Sequence, residues 1–174
     1  VLSACASVIL LYGFALLYAA TGELSYAGLG AKAGTAYAQN PLLILAGTGM
    51  VISGIGFKLS LVPFHMWTPD VYQGAPTPVT GYLATVSKGA VFVALTRMYL
   101  DGQLYQYPSL IDALVVIAIA SMLIGNLLAL QQNNIKRLLA YSSIAHLGYL
   151  LVVLIALTGK GLASDAVTYY LTAY

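Results

Sequence analysis

The chain has 174 residues, 60% hydrophobic and only 7% charged, with a formal net charge of +2 and a mean hydropathy of +0.88. A soluble domain covers its outside with about 25% charged residues, so the outer surface of this chain must face lipid. The charge is too small and too scattered for nucleic-acid binding, which calls for a clustered basic face.

Taken in chain order, five stretches approach the roughly 20 apolar residues that a hydrocarbon core of about 30 Å requires, and a sixth begins. Residues 1–20 carry no charge, and their one cysteine, Cys5, reads as a small packing residue that has no partner for an internal disulfide. Residues 41–67 carry Lys58 and His65, and residues 78–100 carry Lys88 and Arg97. Residues 110–131 carry Asp112 at their start. Residues 135–158 carry Lys136 and Arg137 at their start and His146 within. The last stretch begins near Ser164. The sequence opens inside an apolar stretch without a basic n-region and ends at Tyr174 inside another, which reads as the middle of a longer protein.

The connections read as turns: Gly-rich 21–40, proline-bearing 68–77, polar 101–109, 131–134 with Asn133 or Asn134 as a candidate helix cap, and 159–164. A β-barrel would show segments of about ten residues with period-2 alternation, and these runs are too long and too uniformly apolar. The expected class is all-α, a polytopic transmembrane helix bundle. Basic residues divide almost evenly between the two sides, so the positive-inside rule does not orient the chain. The adjacent Lys136-Arg137 pair leans its turn towards the cytoplasm.

A charge at the centre of a membrane helix costs about 2.5–3.5 kcal/mol on insertion scales, and such residues are functional by default. Lys88 lies near the middle of its stretch, with polar Tyr82, Thr85 and Ser87 nearby suggesting a face turned inward; the alternative is a lysine paired for structural reasons alone. Lys58 precedes Pro63, which lacks an N–H and clashes with the carbonyl of Leu59. The helix is therefore expected to kink or break right after Lys58, leaving backbone carbonyls free beside an ammonium, and broken helices at membrane depth line cavities and ion sites. The alternative for Lys58 is snorkelling to the nearer interface. A buried lysine can take up and release a proton near neutral pH, which suits both to a proton relay.

Histidine as a residue type suits proton transfer near neutral pH, and His146, flanked on one face by Ser142, Ser143 and Tyr149, reads equally as a further relay group or as a packing residue. His65 and Trp67 read as interfacial, and Arg97 as snorkelling. Tyr169, Tyr170 and Tyr174 could add hydroxyls to a path. Phosphate loops, nucleophile elbows and cysteine clusters are absent from the sequence, and nothing around His65 and His146 recommends haem ligation. No metal or cofactor site is expected in this chain.

The segment from Gly56 to Pro78, containing Pro63-Phe64-His65-Met66-Trp67-Thr68-Pro69-Asp70-Val71-Tyr72-Gln73-Gly74-Ala75-Pro76, resembles the antiporter-like membrane subunits of respiratory complex I. Ala84-Thr85-Val86-Ser87-Lys88, Gly125 to Leu130, and Asn134 through Tyr149 agree with it. The Asp70–Pro76 wording favours the subunit N branch over its L and M relatives. The resemblance implies two inverted five-helix repeats, each with a discontinuous helix. Residues 1–100 would be the later part of the first repeat and 110–174 the start of the second. It implies that Lys58 and Lys88 belong to a hydrophilic axis serving proton pumping. It further implies that a glutamate and another lysine of that axis lie outside this sequence, and that the Lys136-Arg137 turn is cytoplasmic. NADH, FMN, iron–sulfur clusters and quinone would belong to other subunits, which with the bilayer would be its partners. The bacterial inner membrane would be its location, and a cation/proton antiporter subunit or a purely structural subunit are the rival readings.

Overall fold

The computed structural model describes residues 2–156 and 168–170, and the regular elements among them are all helical. Helix α1 (Leu2–Thr21), α3 (Pro41–Leu59), α7 (Pro108–Leu130) and α8 (Ile135–Ile155) are each long and apolar enough to cross a membrane. A fifth such helix, Thr77–Asp101, is built from α5 (Thr77–Tyr82), a π-helical turn at Leu83–Ser87 and α6 (Lys88–Asp101). The class is thus all-α and membrane-spanning. Apart from residues 168–170, the expected sixth stretch from Ser164 lies outside the described residues, as does Tyr174.

Two expected turns are helices. Residues 21–40 contain α2 (Tyr26–Gln39), whose N-cap Ser25 accepts a hydrogen bond from the Gly28 amide at 3.1 Å. The glycines that suggested a loop serve close approach instead. A Cβ on Gly30 would stand 2.6 Å from the Gly102 carbonyl oxygen. Residues 68–77 contain α4 (Thr68–Gly74). Pro69 falls in its first turn, where a missing N–H costs nothing because that donor would be unpaired anyway. The α7–α8 turn is capped as expected at Asn134, which accepts from the Lys136 amide at 2.9 Å.

Close helix pairs frame the molecule. Small residues let membrane helices approach until their backbones touch, and α7 meets α8 in this way. A Cβ on Gly125 would lie 2.8 Å from the Ala145 nitrogen. Helix α1 meets α3 similarly through Gly13 and Gly54. Between these pairs α6 contributes Phe92, Leu95 and Tyr99 to a shared core with Val51 and Leu59 of α3, Leu114 of α7 and Leu150 and Leu151 of α8. Leu2, Val8 and Leu11 of α1 and Leu123 and Leu127 of α7 point outward, as lipid-facing residues do. Cys5 is among the exposed positions and is not a packing residue within the chain.

Candidate functional site

Helix α3 ends immediately after Lys58. Ser60 takes the left-handed conformation (φ 61°, ψ 36°), its amide donating to the Phe57 carbonyl at 3.1 Å and the Leu61 amide to the Gly56 carbonyl at 2.8 Å. This is the reciprocal Schellman closure usually built on glycine. Beyond it the Val62–Pro63 peptide is cis, and the chain turns through residues 62–67 into α4. Side chains fasten the break on three sides. The Val62 amide donates to Ser121 Oγ of α7 at 3.0 Å, Thr68 Oγ1 donates to Ser60 Oγ at 2.6 Å, and Trp67 Nε1 donates to the Phe57 carbonyl at 3.0 Å.

Trp67 also stacks on Phe57, with ring centroids 5.4 Å apart. It is thus a closing residue of the break. His65 too is drawn inward, only 6% exposed, and neither ring nitrogen has a hydrogen-bond partner among the described residues. Lys58 itself is half-buried on the last turn of α3 and makes no hydrogen bond or ion pair among the described residues.

Lys88 is placed very differently. It is the first residue after the π-helical turn and only 2% exposed. Single π turns widen a helix locally and occur at functional sites. Within this one, Thr85 Oγ1 donates to the Gly81 carbonyl at 2.8 Å. The Lys88 ammonium donates to Ser143 Oγ of α8 at 2.9 Å and lies 5.4 Å from the centroid of the Tyr72 ring of α4, within cation–π reach. Its partners are therefore a neutral hydroxyl and a ring face. The ion pairs among the described residues, Lys32–Glu23, Arg97–Asp101 and Arg137–Asp70, lie elsewhere.

Ser143 is part of the wall of a cavity of about 680 Å³ between the Thr77–Ser87 segment and α8. Thr80, Thr85, Ser142, His146 and Lys136 also line it, polar groups set in a largely apolar wall, with room for waters at about 30 Å³ each. A smaller cavity of about 240 Å³ includes Lys88 itself, together with Ala84, Thr85 and Leu147. The two share Ala84 and Thr85, the residues of the π turn. His146 Nδ1 stands 2.7 Å from the Tyr170 hydroxyl, which also borders the larger cavity. The larger cavity thus gathers a hydroxyl, an imidazole and a phenol around water-sized space, and the Lys88 ammonium reaches its wall through Ser143; such groups can pass protons between neighbours.

The sequence placed Lys88, Ser143 and His146 in polar company, and the structure brings them to one region through α8, where residues three apart share a face. Tyr82 is instead 61% exposed, and Thr85 is exposed as well. Tyr149 does lie beside His146, with ring centroids 6.0 Å apart in an edge-on arrangement, but it is exposed and its hydroxyl accepts from Asn126 Nδ2 at 3.2 Å. Arg97 is exposed and lies 3.8 Å from Asp101. Lys58 is not among the residues lining the larger cavity. Tyr72 went unmarked in the sequence except within the motif, since its register over Lys88 depends on the chain reversing at Ser60. No cluster of metal-ligating side chains occurs among the described residues.

The family model described as NADH:quinone oxidoreductase/Mrp antiporter, TM matches residues 1–174. Among solved structures, the chain is similar to a chain of respiratory complex I from Thermus thermophilus with bound aureothin. That match has 40% identity and a TM-score of 0.75, over 99% of this chain and 36% of that one. A chain of the membrane-bound sulfane sulfur reductase, an archaeal respiratory membrane complex, is 31% identical with a TM-score of 0.79, over 97% and 34% of the two chains. One from the Mrp complex of Dietzia sp. DQ12-45-1b is 27% identical with a TM-score of 0.80, over 97% and 30%. The chain spans about a third of the length of each of these.

Proposed function

The chain belongs to the NADH:quinone oxidoreductase/Mrp antiporter transmembrane family, and we propose that it is the proton-translocating part of an antiporter-like membrane subunit, of the subunit N branch, in a complex I-type NADH:quinone oxidoreductase. The observation that carries this reading is Lys88, an ammonium 2% exposed and hydrogen-bonded to a neutral serine on the wall of a cavity that also holds Thr80, Thr85, Ser142 and His146. An ammonium held by a hydroxyl can release its proton to that hydroxyl's neighbours and regain one, without breaking an ion pair. The Asp70–Pro76 motif and the 40% identity to a chain of a respiratory complex I support the assignment to that complex.

In this function the chain itself carries no redox centre. NADH, FMN, iron–sulfur clusters and quinone belong to partner subunits of the complex in the bacterial inner membrane. Quinone reduction there changes the electrostatics or hydration along the membrane axis. Lys58, on the last turn before the helix break at Ser60, and Lys88 take up and release protons in response. His146, with Tyr170 at 2.7 Å, extends the path from the cavity.

The reading is tested in the intact complex reconstituted in vesicles. Lys58→Ala and Lys88→Ala are each expected to cut proton pumping per electron transferred, the Lys88 variant approaching the ~10²-fold that a positioned proton-transfer group contributes. Unchanged pumping in both variants would sink the relay. Sodium-dependent transport by the isolated full-length protein would favour a cation/proton antiporter instead.

A further inference from the structure

Helix α4 is only seven residues long, too short to hold its own orientation, yet both its ends are tied. Its start is joined to the end of α3 by the Thr68–Ser60 bond, with the Trp67–Phe57 bond immediately before it. Its end is joined to the start of α8. Arg137 Nη1 donates to Asp70 Oδ1 at 2.6 Å and to Gln73 Oε1 at 3.1 Å. Lys136 Nζ donates to the Ala75 carbonyl at 2.9 Å. Gln132 Oε1 accepts from Arg137 Nε at 3.1 Å and fixes the guanidinium from the α7 side. These contacts explain why a carboxylate, an amide and a basic pair occur at the two ends of one clamp.

Tyr72 stands inside that clamp, between Asp70 and Gln73. It is 2% exposed, and its ring centroid is 5.4 Å from the Lys88 ammonium, on α4, whereas Ser143 approaches from α8. The ring and the serine hydroxyl therefore hold the ammonium from two different helices, and the clamp sets the relation between those helices.

We propose that Tyr72 is a positioning residue for Lys88: its ring, held in register by the Arg137 and Lys136 contacts to α4, keeps the ammonium docked against Ser143. The ring face does this, attracting a cation through its quadrupole. Arg137 acts through α4 and touches neither Lys88 nor the cavity wall at Ser143. The inference builds on the relay reading, since it says how the relay lysine is kept in place, but its test does not depend on pumping.

The test measures how fast Lys88 is reductively methylated by formaldehyde and borohydride in the full-length protein within the complex, read by mass spectrometry. Lys32, whose side chain is 52% exposed, serves as an internal reference. Loss of the ring in Tyr72→Leu is expected to raise the Lys88 rate roughly tenfold, the factor that a desolvated cation–π contact supports. Tyr72→Phe keeps the ring and is expected to keep the native rate. Arg137→Ala, which leaves the ring in place but frees one end of α4, is expected to fall between them. The Lys32 rate stays constant throughout. Equal Lys88 rates in Tyr72→Leu and Tyr72→Phe would overturn the proposal, as would a native rate in both Tyr72→Leu and Arg137→Ala. Should Tyr72→Leu fail to assemble, a native rate in Arg137→Ala alone would overturn it. Loss of the relay reading shows separately, as pumping that survives Lys88→Ala.

Discussion

The two lysines occupy opposite kinds of place. Lys58 sits half-buried at the end of a helix two of whose loosened carbonyls are already taken, Phe57 by Ser60 and Trp67 and Gly56 by Leu61. Lys88 sits within a helix that stays continuous, buried against Ser143 and Tyr72. The break beside Lys58 was expected to leave polar backbone free for an ammonium. Its caps occupy the Gly56 and Phe57 carbonyls instead, and Lys58 supplies the charge beside them. At Lys88 the backbone departs from α-geometry only by one π turn, and side chains from two other helices supply the polar environment. A discontinuous helix and a buried charge are separate devices, and in this chain each stands next to one lysine.

That contrast can be sharpened on the Lys88 side through Ser143. Ser143→Ala removes the hydroxyl that accepts from Lys88. A buried hydrogen bond to a charged group is worth about 1.5–3 kcal/mol, so pumping per assembled complex is expected to fall about tenfold or more. Vesicle acidification at matched electron-transfer rate measures it. Pumping at the native rate would mean that the Lys88–Ser143 contact is incidental.

A smaller effect is expected on the Lys58 side. Ser121→Ala leaves the buried Val62 amide without its acceptor, and an orphaned buried donor costs about 1–3 kcal/mol. The complex should melt at a lower Tm, and the Val62 amide should exchange its hydrogen faster, while pumping by the assembled complex falls less than in Ser143→Ala. The opposite ranking, with Ser121→Ala the more harmful to pumping, would reverse the comparison and make the break the more demanding element.

The transmembrane helices were legible because about 20 apolar residues in a row have few other fates in a protein with 7% charge. The depth of Lys88 was legible for the same reason. Helix α2 was not, because Gly28, Gly30 and Gly34 lower local helix propensity, while the close approach to Gly102 that uses Gly30 is a tertiary fact. Helix α4 was hidden by Pro69, which breaks a helix interior but suits a first turn. The inward turn of Trp67 and His65 could not be read from a belt preference, since it depends on Ser60 adopting a left-handed conformation usually left to glycine. Tyr72 and Ser143 meet Lys88 from helices distant in sequence, so only the motif around Asp70 and the basic pair at 136–137 hinted at them. Those motif residues turn out to be tied to each other.

Lys88→Arg separates a charge from a proton donor most directly. Arginine keeps the positive charge and hydrogen-bonding capacity but does not give up its proton in proteins. The measurement is proton pumping by the assembled complex in vesicles, at an electron-transfer rate matched to the native enzyme. A relay through Lys88 predicts that Lys88→Arg assembles and loses pumping as Lys88→Ala does. Pumping at the native rate in Lys88→Arg would contradict it, leaving Lys88 as a fixed structural charge.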